Sequence, residues 1–336
     1  LSLSLLPSLG LSTEGDISLP LTVHEALRKG VSGVDRRSEP VTVGIPFPQG
    51  MLDEKGGVPQ LGLEGAGDFQ FRTLAKWSDG SVRWALVDFQ ADCKAGKTNK
   101  KVKVLRGSGN SSATFLGEEH GDKIVVDTGT IKVTIRKESF NLFDSVIAAG
   151  KEVISPGTSK GIVCVDGKDE IYLASTDKKK QVSIEENGPV RCVVKATGTH
   201  YAGGQRLLDY TVRMHFYKGK SRVKVYYTLK NASIKQFEHA FIKSLDLVIK
   251  MAVKGKVTVD MAKHEGIITE GFTHPSDELL YYQAVSNFPQ MFAGDSFYWR
   301  APIPADPRKD KPRGWHKQRG FSQEGYWIKA QGKKLV

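Results

Sequence analysis

A short turn between two tryptophans constrains the fold of this chain more than any other feature of its sequence. Residues 76–88 read Lys-Trp-Ser-Asp-Gly-Ser-Val-Arg-Trp-Ala-Leu-Val-Asp. Because Asp tolerates the left-handed backbone region and Gly enters it freely, Asp79 and Gly80 predict the tight turn of a β-hairpin. Tryptophans beside such a turn commonly pack inward, so we expect Trp77 and Trp84 to anchor a hydrophobic core.

Short alternating runs and glycine-rich turns recur along the whole chain. The 336 residues include 35 glycines, and only residues 277–283 have a helical character. The short strands between residues 19 and 106 predict a small β-barrel, and the longer series from residue 113 needs two packed sheets to bury its inner faces. We therefore predict an all-β protein, with a small barrel followed by a large antiparallel β-sandwich.

Composition divides the chain into four segments. A glycine- and serine-rich stretch at residues 107–112 is typical of a linker between two domains. Aromatic, proline and basic residues are concentrated towards the C-terminal end. We predict an N-terminal extended segment at residues 1–18, a barrel at 19–106, a sandwich at 113–284 and an aromatic, basic tail or connector at 285–336.

The N-terminal segment alternates leucine with serine. Leu1, Leu3 and Leu5 would therefore lie on one side of a β-strand. Such a strand either joins the chain's own sheet or is donated to a neighbouring copy of the protein. In the second case the three leucines are assembly residues.

Basic residues outnumber acidic ones, with 49 Lys and Arg against 37 Asp and Glu, a net charge of +12 and a pI near 9.4. A basic surface favours acidic partners. The positive charge is spread along the chain, however, and the sequence has no nucleic-acid-binding motif. No apolar run reaches the length of a membrane span. We therefore expect no nucleic-acid partner and no membrane span.

The cysteines and the lack of metal motifs limit the chemistry. Cys93, Cys164 and Cys192 are odd in number and form no Cys-x-x-Cys pair, which argues against a disulfide framework or a structural metal. Buried thiols are the expectation for Cys164 and Cys192, and one disulfide stays open as an alternative. With no P-loop, dinucleotide fingerprint or zinc-hydrolase motif, we expect no cofactor and no metal. Asn110 and Asn231 begin Asn-x-Ser sequons that permit glycosylation.

Two groups of motifs carry a family resemblance. Residues 36–50 and 69–84, which contain Ile-Pro-Phe-Pro-Gln-Gly and Trp-Ser-Asp-Gly-Ser-Val-Arg-Trp, resemble the N-terminal RIFT-type barrel of the exo-rhamnogalacturonan lyases, polysaccharide lyase family 26, and their YetA-like bacterial relatives. Residues 185–191 and 213–231 resemble the β-sandwich domain of the same family. The resemblance implies a RIFT-like barrel, a sandwich and a secreted, extracellular protein.

The resemblance also sets what the protein is expected to do. Family members continue into a helical α/α toroid that supplies much of the catalytic cleft, and this sequence reaches Val336 about where that toroid would begin. We expect a protein that binds or processes acidic, pectin-like polysaccharide, and any activity would be that of a polysaccharide lyase acting by β-elimination. The alternative is a non-catalytic extracellular subunit that assembles with copies of itself into fibres by donating its N-terminal strand.

One strand pair gathers side chains that suit an acidic sugar. Alternation places one set of polar residues on the same face of the strand before the turn at residues 218–221, and another set on the strand after it. Arg pairs with carboxylates, a Tyr ring can lie against a sugar, and a His or Tyr can take a proton in β-elimination. A solvated sheet face is the alternative, and no catalytic residue is assigned. The candidate binding residues are Arg213, His215, Tyr217, Arg222, Lys224 and Tyr226.

Overall fold

Strands form all the regular secondary structure that is described for this chain. The computed structural model describes residues 2–5, 17–25, 33–231 and 242–252, together with the backbone of four further strands between residues 253 and 335. The all-β prediction is confirmed. The helical turn predicted at residues 277–283 lies outside the described residues.

The strands fall into three groups along the sequence. The first is β1 (Ser2–Leu5), β2 (Ser18–His24), β3 (Arg36–Pro46), β4 (Glu54–Lys55), β5 (Val58–Pro59), β6 (Leu61–Glu64), β7 (Phe69–Lys76), β8 (Val82–Cys93) and β9 (Thr98–Arg106). The second is β10 (Gly117–His120), β11 (Lys123–Asp127), β12 (Ile131–Arg136), β13 (Ser145–Ala148), β14 (Lys151–Ile154), β15 (Gly161–Asp166), β16 (Ile171–Leu173), β17 (Gln181–Asn187), β18 (Arg191–Ala202), β19 (Gln205–Tyr217), β20 (Lys224–Lys230) and β21 (Ile242–Val248). The third is β22 (Val253–Lys263), β23 (Gly266–Ile267), β24 (Phe272–Thr273) and β25 (Ile328–Leu335).

The barrel is formed by two main sheets that enclose one core. Their strand orders are β1-β2-β9-β6 and β3-β8-β7, and β4 pairs with β5 as a short hairpin. The enclosed side chains include Leu21, Ile45, Phe71, Phe89 and Val104. Apolar residues that alternate along each strand fill this space, as the period of a half-buried strand requires.

The hairpin between β7 and β8 is confirmed, with the predicted turn chemistry. Gly80 has φ +88°, which only glycine adopts without strain. The Asp79 carboxylate accepts hydrogen bonds from the Ser81 backbone N–H at 3.0 Å and hydroxyl at 2.6 Å. The turn is therefore closed by its own side chains.

Trp84 does not anchor the core, so that expectation is wrong for this residue. The side chain is 40% exposed, and its ring lies over Gly44 of β3, where an added Cβ would be 3.6 Å from the ring. The cause is a change of register. The pairing of β7 with β8 shifts twice between Thr73 and Lys76, and these bulges turn Trp84 outward while Ala85 faces the core.

Trp77 is half-buried and lies at the rim of the barrel. Its indole N–H donates to the Phe47 carbonyl at 2.9 Å, and the Arg83 guanidinium lies 4.7 Å from its ring centroid. Trp77 therefore fastens the turn to the end of β3 instead of filling the interior.

The sandwich contains a five-stranded and a seven-stranded sheet. The first has the order β10-β11-β12-β13-β14, and the second has the order β20-β19-β18-β16-β15-β21 with β17 paired to β18. Their inner faces share a core that includes Ile124, Val133, Val194, Met214 and Phe216. The outer face of the seven-stranded sheet carries polar side chains on β18, β19 and β20.

The first strand extends a sheet of the barrel, and β22 lies in a separate sheet. β1 pairs antiparallel with β2 of the same chain, with Leu3 opposite Val23 and Leu5 opposite Leu21. β22 pairs with β23, β24 and β25. Leu1 and most of residues 285–336 lie outside the described residues.

The barrel and the sandwich are joined through the side chain of Gln70 in β7. This buried amide accepts hydrogen bonds from the backbone N–H groups of Val190 at 3.0 Å and Arg191 at 2.8 Å. It also donates to the Arg191 carbonyl at 3.2 Å. Gly188 leaves room for it, because an added Cβ would lie 2.4 Å from the Gln70 carbonyl oxygen.

Replacing Gln70 with Ala should destabilise the protein by about 3 kcal/mol, because two buried N–H groups lose their acceptor. Urea unfolding of the full chain measures this change. Gln60→Ala is the matched control, since Gln60 donates one side-chain hydrogen bond, to the Val58 carbonyl. An equal loss in the two variants would contradict the role of Gln70 at the domain junction.

Candidate functional site

The outer face of the seven-stranded sheet carries four of the six predicted binding residues in two adjacent rows. Cys192, Val194 and Ala196 of β18 point into the core, so the residues between them face outward. One row runs Lys195, Arg213, Tyr226, and the next runs Val193, His215, Lys224. The strand pairing thus places Arg213 and His215 of β19 beside Tyr226 and Lys224 of β20.

A bulge in β17 adds one carboxylate, that of Glu185, to this face. The pairing of β17 with β18 shifts between Ile184 and Glu186, and bulges of this kind redirect side chains. Glu185 accepts two hydrogen bonds from Arg213, at 2.6 and 2.8 Å, and lies 3.2 Å from the Lys195 ammonium. The hydrogen bond from Arg213 lowers the pKa of Glu185 to about 2, so this carboxylate is ionised at neutral pH.

Lys224 and Tyr226 form the accessible part of the site. Tyr226 is 49% exposed, and the Lys224 ammonium lies 4.8 Å from its ring centroid. Such a cation–π contact is worth about 0.5–1 kcal/mol at an exposed position. Lys224 forms no ion pair with a carboxylate in the part of the chain that the structure describes. We call Lys195, Arg213, Lys224 and Tyr226 the sheet-face site.

His215 lies beneath this surface. Its ring packs edge-on against Tyr226 with the centroids 5.4 Å apart. Both ring nitrogens are buried and have no hydrogen-bond partner among the described residues. Burial, reinforced by the Arg191 charge, lowers the pKa of His215 to about 4. The imidazole is therefore neutral at pH 7, and neither nitrogen is exposed on the open face.

Arg222 and Tyr217 are drawn towards the barrel. The Arg222 guanidinium donates to Glu39 of β3, and Tyr217 is half-buried opposite Arg191. These two residues therefore lie beside the domain junction, while Arg213, Lys224 and Tyr226 lie on the open face.

A buried ionic network occupies the junction itself. Arg191 forms ion pairs with Asp88 of the barrel at 3.1 Å and with Glu186 of the sandwich. Arg72 of β7 pairs with Glu186 from the other side, and the Thr42 hydroxyl donates to Asp88. Burial raises the pKa of Asp88 to about 6, and the Arg191 charge opposes the rise. Each domain thus supplies charges that the other neutralises.

Sequence reasoning missed Glu185 and Lys195. The signal for Lys195 is the alternation along β18, which puts it beside Arg213 once the strands are paired. The signal for Glu185 is weaker, because its position depends on a bulge that the local sequence does not reveal.

Two family models match the two β domains. The PcRGLX-like N-terminal RIFT barrel domain matches residues 31–103, and the PcRGLX-like protein central beta sandwich domain matches residues 116–265. The chain belongs to the PcRGLX-like family. Its RIFT barrel and β-sandwich are thereby confirmed, and so is its relation to the β domains of rhamnogalacturonan lyases.

A curated relative supports the same assignment. The uncharacterized protein YetA of Bacillus subtilis (strain 168) is 27% identical to this chain over 240 residues, which are 68% of the chain. The chain spans 27% of the length of YetA. The domain boundaries given above from composition remain a prediction.

Cys93, Cys164 and Cys192 are buried free thiols, and burial raises the pKa of Cys164 to about 11. The Asn110 side-chain carbonyl accepts from the Phe71 backbone N–H at 2.6 Å, and Asn231 is exposed. Within the described ranges there is no cluster of three metal-ligating side chains. No described helix has the length and apolar character of a membrane span.

The raised pKa of Asp88 predicts an unusual pH dependence in this PcRGLX-like protein. Between pH 4 and 6, folded Asp88 keeps a proton that the unfolded chain releases, so folding stability falls as the pH rises through this window. Relative to Asp88→Asn, which stays neutral, the wild type should lose about 3 kcal/mol across it. Urea unfolding at a series of pH values measures the difference.

Asp53→Asn is the control, because Asp53 is an exposed aspartate of the same domain. Its stability difference from the wild type should not follow this pH course. A constant difference between the wild type and Asp88→Asn from pH 4 to 6 would refute the assignment of the raised pKa to Asp88.

Proposed function

We propose that this protein binds acidic polysaccharide in the extracellular space through the sheet-face site. The observation that carries the proposal is the pairing of Lys224 with the exposed ring of Tyr226, directly beside Arg213. The Lys224 ammonium has no carboxylate partner among the described residues, and the Tyr226 ring has one open side. They suit the two parts of a uronic acid, its carboxylate and its ring.

The charges of the sheet-face site favour an anion. Lys195, Arg213 and Lys224 contribute three positive charges, and Glu185 supplies the single carboxylate that pairs with two of them. The excess is therefore positive even when every described ion pair is counted. Exposed charges of this kind act mainly on association and are screened by salt.

The pair of Arg213 and Glu185 adds specificity for hydroxyl groups. Arg213 is held by two hydrogen bonds to Glu185, so its orientation is fixed. A fixed guanidinium and carboxylate present donors and acceptors side by side, as the hydroxyls of a sugar require. The site thus combines a charge, a ring surface and a polar pair on one rigid sheet.

Binding is the function that the sheet-face site supports best, because His215 does not qualify as the base of an elimination. β-Elimination needs a base that reaches the substrate proton, and the His215 nitrogens are buried below Tyr226. β1 pairs with β2 of the same chain, which is the arrangement expected when the N-terminal strand joins the chain's own sheet and is not donated to another copy.

The double variant Lys224→Ala/Tyr226→Ala should weaken binding to polygalacturonate about tenfold at low salt, because it removes the unpaired cation and the ring surface. Isothermal titration calorimetry or affinity electrophoresis measures the change. Lys123→Ala on the opposite sheet is the control for loss of charge, since Lys123 is exposed there. Binding that is the same in the double variant and the wild type would reject the site.

Glu185→Gln should change affinity in the other direction. The substitution removes the carboxylate that pairs with Arg213 and Lys195, so the site gains positive charge and polygalacturonate should bind a few-fold more tightly at low salt. The gain should disappear at high salt because exposed charges are then screened. A loss of affinity at every salt concentration would contradict this prediction, because the hydrogen bonds of the Glu185 carboxylate to the ligand would then outweigh its negative charge.

A further inference from the structure

A second concentration of positive charge lies on the barrel. A groove of about 720 Å³ runs between residues 35–38 at the start of β3, residues 65–67 after β6, and the turn that joins β8 to β9. Its size falls within the range of ligand-binding clefts. We call it the barrel groove. Its lining includes six cationic residues, Arg36, Arg37, Lys94, Lys97, Lys100 and Lys101.

Two carboxylates beside the barrel groove, those of Glu25 and Asp35, accept hydrogen bonds from the backbone of its walls. Glu25 accepts from the backbone N–H groups of Val34 at 2.7 Å and Gly96 at 2.9 Å. Asp35 accepts from the N–H of Ala95 at 3.0 Å. These bonds tie the start of β3 to the β8–β9 turn, so acidic side chains build the walls while basic ones face the opening.

Three of the four lysines of the groove lack a carboxylate partner among the residues that the structure describes. Arg36 pairs with Glu25 and Lys94 with Asp35. Among the residues that the structure describes, no ion pair involves the other lysines of the groove. Like charges brought together on one concave surface raise the local potential and attract anions. The unpaired lysines are Lys97, Lys100 and Lys101.

A bulge turns two consecutive lysines to the same side. In the pairing of β2 with β9, Leu21 lies opposite Val102 and Val23 lies opposite Asn99, so Thr22 faces both Lys100 and Lys101. Both lysines are exposed, which regular alternation would not allow. Gly65 packs on this bulge, since an added Cβ would lie 2.0 Å from the Lys101 carbonyl. The backbone therefore fixes the position of the pair.

We propose that the barrel groove is a second binding site for the carboxylates of an acidic polysaccharide chain. The proposal shares its ligand class with the proposed function, on which it rests in that respect, but it depends on different residues. Lysine ammonium groups on flexible stems suit carboxylates that are spaced along a polymer. No aromatic side chain is present among the described residues that line the groove, so nucleobases would have no stacking surface.

The test compares two triple variants of the full chain. Lys97→Gln/Lys100→Gln/Lys101→Gln neutralises the unpaired cations of the barrel groove, and Lys55→Gln/Lys103→Gln/Lys123→Gln removes the same charge from exposed lysines elsewhere. Binding to polygalacturonate is measured over a series of salt concentrations. Both triples should keep the wild-type unfolding midpoint, because the substituted side chains are exposed, and Lys97→Gln alone serves if the groove triple is unstable.

The groove triple should lose at least tenfold in affinity at low salt, and the slope of log affinity against log salt should become shallower by about 2. The control triple should stay within about twofold of the wild type. Equal losses in the two triples, or none in either, would overturn the proposal. So would tighter binding of a single-stranded oligonucleotide than of polygalacturonate.

The Lys224→Ala/Tyr226→Ala variant separates this proposal from the proposed function. If only that variant loses affinity, the sheet-face site stands and the barrel groove is refuted. If only the groove triple loses affinity, the barrel groove stands and the sheet-face site is refuted. No binding by the wild type would overturn both.

Discussion

Arg191 is a buried cation at the junction of the barrel and the sandwich, and its neutralisation holds the two domains in one arrangement. Asp88 from the barrel and Glu186 from the sandwich both pair with it. Removing one partner from a buried pair is far more costly than the pair's net contribution to stability. The hydrogen bonds of Gln70 to the same backbone leave little freedom of orientation. The surfaces on both domains therefore keep fixed positions relative to each other.

The parts of the fold that depend on local pattern could be predicted from the sequence. Alternation and turn chemistry predicted the β7–β8 hairpin and the shared outward face of Arg213 and Lys224, because neighbouring strands joined by a tight turn have a restricted register. Trp84 was misplaced because two bulges reverse the facing of residues beyond them. Arg222 was grouped with the open face, but Glu39, from a distant part of the sequence, draws it to the barrel.

The distribution of charge shows why a scattered pattern in sequence is a poor guide to a surface. The cations of the barrel groove come from the start of β3, the β8–β9 turn and β9. They meet because Glu25 and Asp35 bond to backbone N–H groups across the gap. A carboxylate that accepts hydrogen bonds from backbone amides fixes the position of those segments, and the bonds partly neutralise its charge. The number of charges along the chain does not reveal which carboxylates bond to the backbone and which cations are exposed.

The bulge at Glu185 and Glu186 places the two carboxylates in different surroundings. Glu186 takes part in the buried network that joins the barrel, and its neighbour Glu185 holds Arg213 on the open face. One peptide bond thus connects a residue of the domain junction, Glu186, to the residue that orients Arg213, Glu185. A polymer bound to both domains would pull on this dipeptide, so mechanical tension along the polymer would be transmitted through it to the Arg213 side chain.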